Sequence, residues 1–223
     1  MSGPHLVFVA GATGYVGRAV IPRLLARGHA VRALARRGSA ARVPAGCEIV
    51  LGNALEKESF AESVAACDTF LQLVGVAHPS PSKAEQFRTV DLASARASAQ
   101  AAAQVGVRHF VYVSVAQPAP AMKAYVRARA EGEEAIRSLG LNATFVRPWY
   151  VLGPGHRWPY LLTPGYWIAE RLPPTKNTAR RIGLVTLGQM ASALIAAIEA
   201  PAEGIRIVEV PEIRRARLEA EDS

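Results

Sequence analysis

Cysteine is nearly missing from this 223-residue chain, which has only Cys47 and Cys67. Two thiols so far apart, without metal-ligand spacing around them, give no basis for a disulfide framework or a zinc site, and no bound metal is expected. Long apolar runs are lacking too. Half of the residues are hydrophobic, yet no stretch approaches the roughly 20 uninterrupted apolar residues of a membrane span. Acidic residues are outnumbered, 18 against 26 Lys and Arg, for a formal net charge of +8. Such an excess raises nucleic acid as a partner. The basic residues are scattered, however. Apart from Arg36-Arg37, Arg180-Arg181 and the Arg214-Arg215-Arg217 tail, no basic run interleaves with aromatics, so no specific nucleic-acid binding is expected. The first apolar run leads into glycines rather than a cleavage site, and a cytoplasmic location is the expectation.

What is present is concentrated near the start. The apolar run Leu6-Val7-Phe8-Val9-Ala10 leads into Gly11-Ala12-Thr13-Gly14-Tyr15-Val16-Gly17, then a helical stretch to Arg27, a stop at Gly28 and a second strand Ala30 to Ala35. Strand, glycine loop, helix and strand in that order are the context that gives a glycine triplet meaning as a dinucleotide-binding unit. Gly11 permits a tight turn, Gly14 lets the backbone approach a pyrophosphate, and Gly17 allows close packing of helix on sheet. The helix N-terminus then offers N–H groups to the phosphates. An NAD enzyme usually carries Asp or Glu about 20 residues beyond the glycines to hold the ribose 2′-hydroxyl. Here Ala35 stands there, followed by Arg36 and Arg37. An arginine fork suits a 2′-phosphate, so NADP(H) is favoured over NAD(H), the other reading of the pair being a solvated turn.

The alternation continues. Strands are predicted at Cys47 to Leu51, Thr69 to Val74, His109 to Ser114, Asn142 to Arg147 and Gly204 to Val210, with helices at Lys57 to Ala66, Phe87 to Val105, Met122 to Leu139 and Met190 to Ala200. Helical crossovers of this length imply a parallel, doubly wound α/β sheet, a Rossmann fold with a small C-terminal extension. A chain of this length suits one domain, 1–223, with 149–223 contributing a substrate-side subregion. The aromatic, proline-rich segment 158–174 reads as a lid or pocket wall, as an irregular patch on the core, or as an interface with a homo-oligomer or protein partner. After Val210 a frayed, charged tail is expected.

The chain to about Val210 resembles the short-chain dehydrogenase/reductase superfamily, in its extended or atypical branch of epimerase-like and NmrA-like proteins. The residues that carry the resemblance are Gly11 to Gly17, Leu51-Gly52-Asn53-Ala54-Leu55, Val111-Tyr112-Val113-Ser114, Tyr125 with Arg129, and Arg147 to Gly155. It implies that Thr13, Tyr15 and Val16 line the cofactor loop and that Asn53, Ala54 and Leu55 lie near adenine, with Asn53 where the family commonly has Asp. Leu73, Val74 and Gly75 are then near the ribose, while Pro148, Tyr150 and Val151 border the nicotinamide. The family's chemistry rests on a tyrosine that moves a proton and a lysine four residues on, which shares its helix face and binds ribose. Tyr125 fits the first role and Arg129 stands in the second place. Ser114 is the residue that would polarise a substrate oxygen, although Val115 stands where the family usually has the catalytic member of a serine pair. A strand-capping hydroxyl for Ser114, and a cleft-lining ring for Tyr125, are the structural alternatives. Two functions follow. One is an NADP(H)-dependent oxidoreductase or epimerase-like enzyme acting on a small, apolar or aromatic substrate. The other is a catalytically impaired NADP(H)-sensing, assembly or regulatory module of the NmrA-like type.

Overall fold

A computed structural model describes residues 3–119, 121–154 and 182–216. The strands are β1 (Leu6–Ala10), β2 (Ala30–Ala35), β3 (Glu48–Leu51), β4 (Thr69–Gln72), β5 (His109–Val113), β6 (Ala143–Arg147), β7 (Tyr150–Leu152), β8 (Leu184–Thr186) and β9 (Ile205–Glu209). Seven of them form one parallel sheet in the order β3-β2-β1-β4-β5-β6-β9, and β7 pairs with β8 in a separate parallel ribbon. The order reverses between β1 and β4, on either side of the first strand, as in a doubly wound fold.

Period-two alternation explains the two layers. Along β1, Val7 and Val9 enter one core with helix α1 (Gly17–Ala26) and the later helix Leu187–Glu199, while Phe8 and Ala10 enter the other. The chain has only six phenylalanines, and all are buried. Phe8, Phe60, Phe70, Phe110 and Phe145 share the second core, with Phe70 and Phe110 stacked at 5.1 Å. Large rings on the strands are met by small residues on helix α2 (Ala93–Val105), whose Ala95, Ala99, Ala101 and Ala102 are fully buried. Helix α2 ends at Gly106, left-handed at φ +69°, with Val107 N–H donating back to Ala102 O. Helix α3 (Lys123–Ser138) follows β5, α4 (Leu187–Glu199) opens with a reciprocal Thr186–Gln189 capping box, and α5 (Val210–Arg215) closes the described chain.

Two predicted elements differ. Residues 57–66 are not a helix but two 3₁₀ turns, Lys57–Ser59 and Ala61–Val64. Ser59 Oγ donates to the carbonyls of Asn53 and Glu56 and accepts from Asn53 N–H, an alternative to helical backbone pairing. The expected fraying after Val210 is also absent as far as Ala216. Val210 and Ile213 are buried, and Arg214 Nε donates to Leu184 O, so α5 is docked. The C-terminal region therefore divides: α4 and β9 complete the main sheet's layers, while β7 and β8 stand apart from that sheet.

Candidate functional site

The carboxyl ends of β1 and β4, where the strand order reverses, meet at the glycine loop. Gly11 has φ +92°, and a Cβ there would lie 2.9 to 3.0 Å from Leu73 and Val74 backbone and side-chain atoms. The turn thus requires glycine both for its dihedral and for its approach to the chain leaving β4. A Cβ at Gly17 would lie 2.5 Å from Gly11 O and 2.7 Å from Ala12 O, so its close approach is to the loop's own carbonyls. Gly14 differs: among the described residues a Cβ there would meet only Gly11 O, at 3.1 Å. Its glycine leaves free space on the outer side of the loop, where Gly14 is exposed beside the start of α1. Those residues fit a pyrophosphate. Thr13 and Val16 are half-buried in the same loop, and Tyr15 turns its hydroxyl against Gly153, linking the loop to the end of β7.

Arg36 and Arg37 are exposed at the end of β2. Neither guanidinium has a hydrogen bond or ion pair among the described residues. By contrast Arg32, on the same strand, is held by Glu48 and by the carbonyls of Ser63 and Ala65. The Arg36 carbonyl accepts from Ser39 N–H and Oγ, which fixes the backbone beneath the free side chains. At the end of β3, Asn53 Nδ2 donates to Glu56 at 2.7 Å and Asn53 Oδ1 accepts from Leu55 N–H at 3.2 Å. Its amide braces its own turn, and each end keeps one further hydrogen-bonding position.

Helix α3 carries Tyr125 and Arg129 on one face. The Arg129 guanidinium lies 5.3 Å from the Tyr125 ring centroid and 5.7 Å from that of Tyr112. It is almost wholly buried. Nη1 donates to Val113 O at 2.7 Å and Nη2 meets Asp91 Oδ1 at 2.7 Å. Asp91 is fully buried, and its Oδ2 accepts from Val76 N–H at 3.0 Å. Burial pushes the Asp91 carboxyl above its ordinary range, against the opposing pull of Arg129 and the Val76 N–H. For Arg129 burial works to lower the pKa, but Tyr125, Tyr112 and Asp91 outweigh it and hold the cation. The 2.7 Å geometry defines an ion pair. Burial likewise pushes the Tyr112 phenol up to about 12.

Asp91 was invisible as a site residue in sequence, where it sits in a helical stretch beside alanines. The available signal was its place four residues after Phe87 and four before Ala95, a charge on an otherwise buried face. The segment Phe87–Leu92 is π-helical, and both Phe87 and Asp91 point inward from it. Gly75 is explained by the same pair. A Cβ there would collide with the Arg129 guanidinium and lie 3.2 Å from Asp91 Oδ1.

Ser114, at the end of β5, donates its N–H to Val146 O, while its buried Oγ has no partner among the described residues. Val115 is buried in the chain behind it, and Ala116 N–H donates to Pro148 O. Pro148 is buried and Tyr150 and Val151 are half-buried, the latter two on β7. A further group missed in sequence braces this wall. Glu133 of α3 accepts from Arg147 Nε and Nη2 at 2.9 and 2.6 Å and from Gln117 Nε2 at 2.9 Å. Segment 158–174 lies outside the described residues. Among those described, no helix is long and apolar enough to cross a membrane.

The model of an NAD(P)H-binding family matches residues 11–163. The chain is 28% identical over 214 residues to a ceramide reductase of Caulobacter vibrioides, covering 94% of this chain and 65% of that protein. It is 30% identical over 230 residues to a 3-diazoavenalumate denitrifying reductase of a Streptomyces species, covering 89% and 73%. It therefore spans about two thirds to three quarters of the length of these relatives. Among solved structures, the NAD+ complex of the Bordetella bronchiseptica enzyme WbmH superposes with a TM-score of 0.69 at 17% identity, over 92% of this chain and 75% of that one. The matched model places this chain in the NAD(P)H-binding family, and the glycine loop at the end of β1 lies within the matched residues.

Proposed function

We propose that this protein is an NADP(H)-dependent reductase of a small, apolar carbonyl compound, working in the cytoplasm. The observation that carries the reading is the grouping at the end of β5: Tyr125 on the helix face that bears Arg129, with Arg129 bonded to Val113 O one residue before the unpartnered Ser114 hydroxyl. An unpaired buried hydroxyl costs about 1 to 3 kcal/mol, and a substrate oxygen is a fitting acceptor for it. Gly11, Gly14 and Gly17 would hold the pyrophosphate. Arg36 and Arg37 would take a 2′-phosphate, no carboxylate being fixed on either among the described residues. A bound NADPH supplies the hydride. Ser114 would donate a hydrogen bond to the substrate oxygen as negative charge develops on it, and Tyr125 would give that oxygen its proton. Reduction is supported by the names of both relatives, each a reductase.

Steady-state oxidation of NADPH with a panel of carbonyl compounds tests this. Tyr125→Phe keeps the ring, so NADPH affinity is expected to persist while turnover falls by about two to four decades. Arg36→Ala should weaken NADPH by about one to two decades and NADH far less. Equal binding of both cofactors to the unaltered protein refutes the role given to the arginines. Tight cofactor binding without turnover favours a sensing or assembly module. The engagement of Arg129 with Asp91 and Val113 O, in place of an open ligand position, is the observation behind that second reading.

A further inference from the structure

Three separate segments converge on the Arg129 guanidinium. The π-helical segment contributes Asp91, the exit from β4 contributes Val76 N–H through Asp91 Oδ2, and the end of β5 contributes Val113 O. The same π-helical segment contributes Phe87, whose ring centroid lies 5.0 Å from that of Tyr125. The Tyr125 ring thus has Phe87 at 5.0 Å and Arg129 at 5.3 Å as neighbours. Asp91 follows Phe87 by one turn and holds Arg129.

A buried ion pair is a poor way to gain stability, because desolvation of both charges offsets most of their attraction, and apolar residues of similar volume often do as well or better. Its presence here, with glycine at position 75 to make room for it, calls for another account. Its position supplies one. The pair joins the two chain segments that flank the cofactor's ribose and the substrate oxygen in the proposed site, and it abuts the ring that would move the proton.

We propose that Asp91 is a positioning residue: by fixing the Arg129 guanidinium against Val113 O it sets the place of Tyr125. Asp91 touches neither substrate nor cofactor in this account. The position that carries a lysine in the family acts here as one half of an internal pair. The proposal rests on the reductase reading for its kinetic consequences, but not for the fixing of Arg129 itself.

Asp91→Asn keeps size and one acceptor oxygen while removing the charge. With NADPH and 9,10-phenanthrenequinone as the carbonyl probe, kcat is expected to fall about 10- to 100-fold, the loss a misplacement of about 1 Å can cause. KM for NADPH should change by less than about threefold, because the glycine loop and Arg36 are remote from the pair in sequence and make none of its contacts. Added to Tyr125→Phe, Asp91→Asn should cost less than about a further threefold, since its effect passes through the missing hydroxyl. An unchanged kcat in a folded variant, or the full loss repeated on the Tyr125→Phe background, overturns the proposal. If Asp91→Asn does not fold, the paired variant Asp91→Leu with Arg129→Met removes both charges at similar volume. Low kcat in that stable protein supports positioning, and near-normal kcat overturns it.

A second readout needs no turnover. The ¹⁵N-coupled Nη–H signal of Arg129, assigned by its loss in Arg129→Lys, should exchange slowly in the unaltered protein, where Nη1 and Nη2 are held by Val113 O and Asp91, and be broadened away in Asp91→Asn. Its persistence in Asp91→Asn overturns the proposal. An unaltered protein that binds NADPH and turns nothing over refutes the reductase reading, and the Arg129 signal then decides the clamp by itself.

Discussion

Substituting alanine at Gly14 and at Gly17 separates space kept for a ligand from space needed by the fold. At Gly17 the new Cβ would lie 2.5 Å from Gly11 O and 2.7 Å from Ala12 O. Both are backbone atoms of the tight loop and cannot swing aside. Alanine is the better helix former by up to about 1 kcal/mol, but Gly17 is the first residue of α1, where that gain is smallest. Forcing a methyl into packed surroundings costs about 1 to 3 kcal/mol, and backbone contacts this short belong in the upper half of that range. The clash wins. A net loss of about 2 kcal/mol corresponds to a melting temperature lower by about 4 to 8 °C in a domain of this size. NADPH affinity should fall as well, because the loop carbonyls must move. At Gly14 the only near neighbour among the described residues is Gly11 O at 3.1 Å, so Gly14→Ala should leave the melting temperature within about 2 °C while weakening NADPH by more than about tenfold, the methyl standing where the pyrophosphate approaches. Gly38→Ala is the control, since a Cβ there meets none of the described residues within 4 Å. Thermal melts of the cofactor-free protein and NADPH fluorescence titrations read both effects. A Gly14→Ala variant that binds NADPH normally, or a Gly17→Ala variant as stable as the parent, refutes the assignment of these glycines.

The Glu133 brace and the buried His109 make two further predictions. Glu133→Ala strands Arg147, whose side chain is mostly buried, with only the longer 3.5 Å contact to Glu209 among the described residues. Breaking such a pair costs about 3 to 5 kcal/mol; the remaining contact puts the loss near the lower figure, a fall of about 6 to 12 °C in melting temperature. Arg88→Ala, which breaks only the exposed pair with Glu85, should change nothing measurable, and equal effects from the two variants would argue against burial as the cause. His109 is fully buried with Nε2 3.0 Å from Thr144 Oγ1, and burial pushes its pKa down to about 4. The unfolded chain takes up that proton near pH 6.5 and the folded one only near 4, so stability is intact above about 6.5 and declines as pH falls through that window. At pH 5 the loss is about 2 kcal/mol, visible in urea unfolding at pH 7 and pH 5, and His109→Gln should flatten the difference.

Local patterns were legible in the sequence wherever a residue's partners lie within a turn or two of it. The period-two run Leu6 to Ala10, the glycine loop, the stop at Gly106 and the i, i+4 pairing of Tyr125 with Arg129 are all of that kind, and each stands in the structure as its spacing implies. Where local hydroxyl groups compete for the backbone, pattern misled. Residues 57–66 have helical composition, yet Ser59 captures the turn that Asn53 begins. Tertiary structure alone decided what Arg129 does. Its partners Asp91 and Val113 lie 38 and 16 residues away in sequence, and a cation's partner in a packed interior is chosen by which segments the sheet order brings together. Tertiary structure also decided that the chain after Val210 docks, because burial of Val210 and Ile213 depends on a surface supplied by α4 and β8. Sequence determined the strand, glycine loop and helix that begin the fold; only the three-dimensional chain determined that the charge beside Tyr125 would be balanced by a buried carboxylate.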